Sequence, residues 1–406
     1  MYQRHLQQRL MDALSDTPVV FLQGPRQAGK STLVQALLTS GHPARYVTLD
    51  DPVPLAASQA DPDAFLSGFE GPVALDEVQR SPGLYRALKA AVDRDRRPGR
   101  FLLTGSAQAL LLPRLAEMLA GRMEVVTLYP LSQTEIEGRR VDWIGQLFGD
   151  GALRSQGGCE GLYPRVAGGG FPEVLTRPQR ARQGAWYDSY ISTILQRDVL
   201  EMSRVEDLGL LPRLLRLIAA RSGSLLNASE MSRALAAPLS TLKRHLALFE
   251  ATFLVQTVPA WSSNKGKRLV KAPKIYLSDT GLLAHLLGWD ASHDPLARET
   301  GMLLENFVAM ELRKHMGWSS IPTTLHHYRT FSGREVDFAL EGPGGKLVGI
   351  EVKASTRVGP EDFKGLRDLA DDAGKRWHRG VVLHAGKETV SFGKGYEAAP
   401  LSVFWK

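Results

Sequence analysis

Short apolar runs, set apart by mixed polar stretches of about 20 residues, give the first third of the chain the rhythm of strands alternating with helices. The runs are Pro18-Val19-Val20-Phe21-Leu22, Tyr46-Val47-Thr48-Leu49-Asp50, Pro72-Val73-Ala74-Leu75-Asp76-Glu77, Arg100-Phe101-Leu102-Leu103-Thr104 and Glu124-Val125-Val126-Thr127-Leu128. A helix is predicted from Ser31 to Thr39. Such alternation implies a parallel sheet covered by helices, an α/β fold. The pattern then changes. Residues 140 to 180 are rich in glycine, with Pro164 and Pro172, and read as a loop-heavy connection. A helix is predicted from Trp186 to Met202, followed by helical periodicity from Leu208 and by alternating strands after residue 330.

The first run feeds directly into Gly24-Pro25-Arg26-Gln27-Ala28-Gly29-Lys30-Ser31-Thr32, a phosphate-binding loop between a strand and a helix. The two glycines let consecutive N–H groups turn inward toward phosphate oxygens, and the next helix adds its positive N-terminal end. Lys30 can reach the β- and γ-phosphates, and the Ser31 hydroxyl can hold Mg²⁺. Asp76 and Glu77 close the third apolar run. Two acids at the end of a buried strand call for a nearby cation, because their desolvation is costly. Asp76 is therefore expected beside Mg²⁺, on a strand next to the phosphate-loop strand, and Glu77 as the base that polarises the attacking water. At the end of the fourth run, Thr104 or Ser106 is placed to sense the γ-phosphate. ATP and Mg²⁺ are the cofactors this pattern implies.

The order of motifs resembles the AAA+-like ATPases of bacteria and archaea that carry a poorly characterised C-terminal region. The resemblance rests on residues 24–32, on Leu75-Asp76-Glu77-Val78-Gln79, Leu103-Thr104-Gly105-Ser106, Leu119-Ala120-Gly121-Arg122 and Leu128-Tyr129-Pro130-Leu131-Ser132, and extends to Arg197-Asp198-Val199 and Leu277-Ser278-Asp279-Thr280-Gly281-Leu282. It implies an arginine that touches the nucleotide in cis or from a neighbouring subunit, with Arg122 the first candidate and Arg197 the second. It also implies a homo-oligomer as one form of the protein and, by analogy, a lid over the nucleotide formed by the helix that ends near Arg197.

From Leu208 to Leu287 the pattern resembles a winged helix. Ala228 to Leu235 is the first helix of a helix-turn-helix, Ala236-Ala237-Pro238 the turn, and Ser240 to Glu250 the second helix. Leu242, Leu246 and Phe249 recur at core spacing, which leaves Lys243, Arg244 and His245 for the exposed face. Trip-wire chemistry for a polyanion follows in Trp261 to Lys274, a wing-like hairpin with Lys265, Lys267, Arg268, Lys271 and Lys274 and no acid among them. DNA is the expected partner of these cations; a protein partner is the alternative, since winged helices also serve as interaction modules.

The last hundred residues hold a second constellation. An amphipathic helix from Gly301 to Met316 bears Glu305 and Glu311, and Glu335 to Leu340 forms an alternating strand with Asp337. After the turn at 342–345, Leu347 to Lys353 ends in Glu351-Val352-Lys353. An acid, a hairpin and then Glu-x-Lys resemble the PD-(D/E)xK nuclease motif. In it Glu351 and Lys353 share one strand face, Asp337 comes from the neighbouring strand, and Glu305 completes the site. Asp337 and Glu351 would hold Mg²⁺ and Lys353 would orient the water. Three uses stand open: a working nuclease, a nucleic-acid-binding relic, or a solvated ion pair.

Composition narrows this little. The 406 residues are 43% hydrophobic and 23% charged, as in a globular protein, so two or three domains are expected. The expected divisions are an ATPase domain at 1–135, a lid or linker at 136–204, a mostly helical winged-helix-like domain at 205–290 and an α/β restriction-endonuclease-like domain at 296–406. No apolar run approaches the roughly 18 residues of a membrane span, and the polar opening Met1-Tyr2-Gln3-Arg4-His5 lacks the core of a secretory signal, so no membrane partner and a cytoplasmic setting are expected. The single cysteine, Cys159, excludes an intramolecular disulfide and fits a reducing compartment. A formal charge of +7 favours a polyanionic partner only if the cations gather on one surface.

Overall fold

The structure is a computed structural model that describes residues 2–106, 119–153, 157–198, 209–264, 266, 271–290, 298–330 and 332–406. The chain forms two compact units, one built from Gln3–Pro130 with Ala251–Phe253 and one from Leu131–Glu250 with Leu254–Lys406. The first division thus falls five residues earlier than the expected boundary at 135.

In the first unit α1 (Gln7–Asp16), β1 (Val19–Gln23), α2 (Lys30–Ser40), β2 (Arg45–Thr48), α3 (Pro52–Ala60), α4 (Pro62–Ser67), β3 (Val73–Asp76), α5 (Leu84–Arg94), β4 (Phe101–Gly105) and β5 (Met123–Thr127) follow in order. Local chemistry starts the two short helices. Asp51 caps α3 by accepting from Val53 N at 3.0 Å, and Asp61 caps α4 by accepting from Ala64 N at 2.9 Å, each with proline next in the chain. The five strands order β2-β3-β4-β1-β5, and every pair is parallel. Side chains alternate between two cores. Val19, Phe21, Leu75 and Leu103 pack with α5, whereas Val20, Leu22, Ala74 and Leu102 pack with α1 and α2. Helices on both faces explain why these strands read as unbroken apolar runs.

One expectation about this sheet is corrected. The strand bearing Asp76 does not neighbour the phosphate-loop strand, because β4 lies between β1 and β3. The apolar runs of β3 and β4 are alike, so nothing in either one specifies which pairs with β1.

In the second unit the glycine-rich stretch is largely irregular, as expected of a loop-heavy connection, but it also packs short helices into the core. Helices Trp143–Phe148, Leu162–Gly168 and Pro172–Leu175 punctuate it, and Trp143, Leu147, Val166 and Phe171 enter the main core. Its glycines serve the turns: Gly161 (φ +72°) and Gly169 (φ +68°) flank the second of these helices in conformations that favour glycine. The predicted helix from Trp186 is the end of Arg180–Thr193, which continues as a π-helical turn, Ile194–Asp198; residues 199–202 lie outside the described residues.

The helices α6 (Leu210–Ala219), α7 (Ala228–Leu235) and α8 (Leu239–Ala251) precede an antiparallel pair, β6 (Val255–Val258) and β7 (Lys274–Leu277). Ala236 takes a left-handed conformation (φ +51°) in the turn between α7 and α8. Among the described residues of the expected Trp261–Lys274 wing only Lys274 belongs to a strand; residues 265 and 267–270 lie outside the described residues. After α9 (Thr280–Leu287) comes the long α10 (Arg298–Trp318) and a six-stranded mixed sheet. It is built from β8 (Thr324–Arg329), β9 (Glu335–Glu341), β10 (Leu347–Lys353), β11 (Trp377–His384), β12 (Val390–Ser391) and β13 (Tyr396–Pro400), ordered β12-β13-β11-β10-β9-β8. The helix α11 (Lys364–Ala373) lies after β10 in the chain and packs Leu366 and Leu369 with Val336 and Val382 of this sheet.

Asp279 ties the middle of the second unit together. Its buried carboxylate accepts from Gly170 N (2.7 Å), Tyr187 Oη (2.9 Å) and Leu282 N (3.0 Å). Replacing it with alanine strands these buried donors, so Asp279→Ala is expected to cost about 3 kcal/mol or more of stability. Urea denaturation followed by far-UV circular dichroism measures it, and a loss below about 1 kcal/mol would contradict a structural role for this carboxylate.

Candidate functional site

The first candidate site gathers at the C-terminal ends of β1, β3 and β4. Gly24 (φ +153°) and Gly29 (φ +94°) give the loop after β1 its shape, and a Cβ on Gly24 would run into the carbonyl oxygen of Leu128. Lys30 is buried inside the loop, where its Nζ donates to the carbonyl oxygens of Gly24 and Pro25 at 3.0 Å each. Arg4 braces the loop from the other side, donating to Ala28 O at 2.8 Å and to Tyr129 O at 2.6 Å. Arg26 is half-buried, and Gln27 and Thr32 are exposed.

Asp76 is the hub. Its buried carboxylate accepts from Ser31 Oγ at 2.9 Å, from Tyr46 Oη at 2.7 Å and from Thr104 Oγ1. Thr104 in turn accepts from the backbone N–H of Glu77 at 3.2 Å. The intervening strand β4 is what carries Thr104 there. Glu77 sits in a left-handed conformation (φ +59°), uncommon for a residue other than glycine, and its carboxylate accepts from Gln79 Nε2, which also donates to Ser106 Oγ at 3.1 Å. Burial, then the Asp76 carboxylate, hold the Tyr46 phenol well above its ordinary range.

Lys30, Ser31, Asp76, Glu77, Thr104 and Ser106 are thus brought together, while Arg122 is not. It precedes β5, whose first residue Met123 is in register with Val19 at the start of β1, so it lies at the end of the sheet opposite the phosphate loop. There its Nε donates to Asp93 at 2.6 Å. The assignment of Arg122 as a nucleotide contact within its own chain is therefore corrected: a strand's length separates the two. The side chain of Arg197 lies outside the described residues. Sequence reasoning missed Arg4, Tyr46 and Gln79; of these only Gln79 stands in a motif, two residues after Glu77.

The second cluster lies in the other unit, around the fork where β9 and β10 part. Their pairing reaches Ile350 opposite Phe338, and one residue on, Asp337 Oδ2 accepts from Val352 N at 3.0 Å. Glu305 from α10, Asp337 from β9, and Glu351 and Lys353 from β10 converge, with Lys353 Nζ 3.2 Å from Glu351 and 3.6 Å from Asp362. A residue outside that pattern joins them. Lys274, 3% exposed, donates to Glu305 Oε1 at 2.8 Å and Asp337 Oδ1 at 3.1 Å and lies 3.8 Å from Glu335. Tyr276, two residues on along the same strand face, donates to Glu305 Oε1 at 2.7 Å.

Burial works against the Lys274 charge, but Asp337 and Glu305 outweigh it and hold the ammonium well above its ordinary range. Burial and then Asp337 push Glu305 up to about 7 and Glu351 up to about 8. Both Asp337 oxygens already accept hydrogen bonds, and among the described residues no group of three or more His, Cys, Asp or Glu is disposed to hold a metal ion. As arranged, Asp337 and Glu351 do not fit the metal they were expected to hold.

The expected nucleic-acid residues are spread unevenly. Lys243 and Arg244 are exposed on α8, but His245 is buried, because it falls in the Leu242/Leu246/Phe249 stripe. Lys271 is half-buried and donates to Arg329 O at 3.4 Å. Lys265, Lys267 and Arg268 lie outside the described residues. Lys274 is removed from the set: an ammonium enclosed by carboxylates cannot meet a phosphate backbone. Among the described residues, no helix is long and apolar enough to cross a membrane.

A five-stranded parallel sheet with a phosphate loop after β1 and acids after β3 defines a P-loop nucleotide-binding domain. The family described as AAA domain matches residues 16–137, and two families of unknown function, DUF8612 and DUF4143, match residues 160–293 and 300–404. The N-terminal domain is an AAA-type ATPase domain. Over 369 residues the chain is 34% identical to an uncharacterized protein of Mycobacterium tuberculosis and equally to one of Mycobacterium bovis, covering 90% of this chain and 76% of each relative. The chain belongs to the family of these mycobacterial proteins. Among solved structures it is similar to a Walker-type ATPase of Pyrococcus abyssi, at 15% identity and a TM-score of 0.40, covering 71% of this chain and 96% of that one.

The raised carboxylates set a pH dependence. Between about 4.5, the ordinary value, and about 7 to 8, the folded chain keeps protons on Glu305 and Glu351 that the unfolded chain has released. Their contribution to stability is therefore full at low pH and is lost as pH rises through that window. Glu351→Gln cannot ionise, so its melting temperature relative to the parent chain is expected to rise from pH 5 to pH 9. A difference that stays flat or falls, measured by differential scanning calorimetry, would count against this burial.

Proposed function

We propose that the protein is an ATP-hydrolysing enzyme that acts on DNA, coupling ATP–Mg²⁺ turnover to movement of its C-terminal winged-helix-like and nuclease-like regions. The observation that carries the ATPase part is the Asp76 hub, in which the hydroxyls of the phosphate-loop Ser31 and the strand-end Thr104 meet one buried carboxylate.

The loop suits a triphosphate, since it holds the Lys30 ammonium on its inside and glycine where Leu128 O leaves no room for a side chain. Lys30 and the backbone N–H groups of the 24–32 loop, Pro25 excepted because it has none, would bind the phosphates, and Ser31 and Asp76 would hold Mg²⁺. Bound ATP supplies the phosphoanhydride, and Mg²⁺ offsets charge on its phosphates. Thr104 keeps Asp76 and the Glu77 backbone in fixed relation. The Glu77 carboxylate takes a proton from water as general base. Gln79, which donates to one oxygen of that carboxylate and to Ser106, orients the base and leaves its other oxygen to accept the proton. Glu77→Gln is expected to lower kcat by about 10²- to 10⁴-fold with nucleotide binding retained. A steady-state phosphate-release assay beside a fluorescent-nucleotide titration reads both, and unimpaired turnover would sink the assignment.

The DNA part is supported by the helix-turn-helix layout of α7 and α8, with Lys243 and Arg244 exposed on α8. A slow nucleotide switch that recruits a protein partner is the second reading, favoured by the burial of Lys274, which takes one cation from the expected DNA-facing set. Salt separates them. If α8 contacts phosphates, duplex affinity falls steeply with salt, and replacing both Lys243 and Arg244 with alanine reduces the slope of log K against log salt by about 2. Binding without a salt slope, or an unchanged slope in the double variant, would reject DNA contact through α8.

A further inference from the structure

Four residues of a nuclease-like pattern converge at the β9–β10 fork, yet the centre of the cluster is filled by a fifth residue from outside it. Lys274 Nζ lies 2.8 Å from Glu305 Oε1 and 3.1 Å from Asp337 Oδ1. The other Asp337 oxygen accepts from Val352 N at 3.0 Å, Glu305 Oε1 also accepts from Tyr276 at 2.7 Å, and Glu351 is paired with Lys353 at 3.2 Å. A hard divalent cation requires carboxylate oxygens turned toward it at about 2.0–2.6 Å. The ammonium stands where those oxygens point, and a second cation beside it would meet direct repulsion.

Lys274 cannot leave by a change of rotamer into water, because its side chain is only 3% exposed. Its backbone is also clamped. The residue pairs with Val258 of β6 and bridges to Leu225, while the next residue, Ile275, exchanges hydrogen bonds with Gly223 and Ser224 (Gly223 N to Ile275 O 2.8 Å, Ile275 N to Ser224 O 3.1 Å). The lysine is thus delivered by a strand held to the segment between α6 and α7, the part of the chain that carries the helix-turn-helix.

We infer that Lys274 is a built-in cation that closes the Glu305/Asp337/Glu351 cluster to divalent metal, and that the cluster can take a metal ion only when β7 withdraws. The ammonium satisfies the buried carboxylates that would otherwise need a metal. In the seated state the C-terminal region therefore carries no metal-dependent nuclease centre, and the pairing of β7 with β6 and with 223–226 is the latch. This inference does not depend on the ATPase reading.

The test is Mn²⁺ titration of the nucleotide-free 406-residue chain, followed by electron paramagnetic resonance. The parent chain and Asp337→Asn are expected to give the same isotherm. Lys274→Met is expected to gain an Asp337-dependent site at least about tenfold tighter than any in the parent, absent from the Lys274→Met/Asp337→Asn pair. Lys274→Gln, which keeps a donor toward Glu305, is expected to gain the same site and serves if the methionine variant does not fold. An Asp337-dependent Mn²⁺ site in the parent chain overturns the inference, and so does a folded Lys274 variant that gains none.

Discussion

A charge taken out of water must be met by an opposite charge or by converging donors, and each candidate site is organised around one such charge. In the first it is Asp76, held by the hydroxyls of Ser31, Tyr46 and Thr104 from three separate segments. In the second it is Lys274, held by Glu305 and Asp337. The two differ in sign and consequence. A buried carboxylate that leans on neutral hydroxyls remains ready for a cation, whereas a buried ammonium between carboxylates has already completed its cluster.

The strand order is what allows the first arrangement. Because β4 stands between β1 and β3, the hydroxyl of Thr104 reaches Asp76 and the backbone of Glu77 together. The left-handed backbone at Glu77 then turns its carboxylate toward Gln79. Local strain of this kind persists only where the surroundings over-determine it, and here the Thr104 and Gln79 contacts do so.

Much of the fold was legible in the chain. Five apolar runs foretold five strands, the helices expected at 228–235 and 240–250 are Ala228–Leu235 and Leu239–Ala251, and period-2 alternation set Glu351 and Lys353 on one strand face, whereas the place of Glu305 and Asp337 beside them came only from the resemblance to a nuclease motif. The failures share a cause. Lys274 read as an exposed wing cation because a lysine in a basic run is ordinarily solvated; only the strand that carries it, packed beside α10 and β9, shows it enclosed. His245 read as exposed because histidine is polar, although its position belongs to the buried stripe of α8. The glycines of 140–180 mark a stretch that is mostly irregular, and what they hid is that its short helices carry apolar residues into the core.

By itself, then, the sequence determined the chemistry available at each position: a loop that turns its N–H groups inward, acids that close a buried strand, and a period-2 strand that sets Glu351 and Lys353 on one face. Those properties depend on near neighbours and on backbone periodicity. Which strand lies beside which, that Arg122 falls at the far end of the sheet, and that a lysine more than sixty residues before Asp337 fills its cluster, only the tertiary structure decided. The physical reason is that pairing of apolar strands and neutralisation of buried charge are contacts between distant segments, and the pattern within any one segment is compatible with several partners.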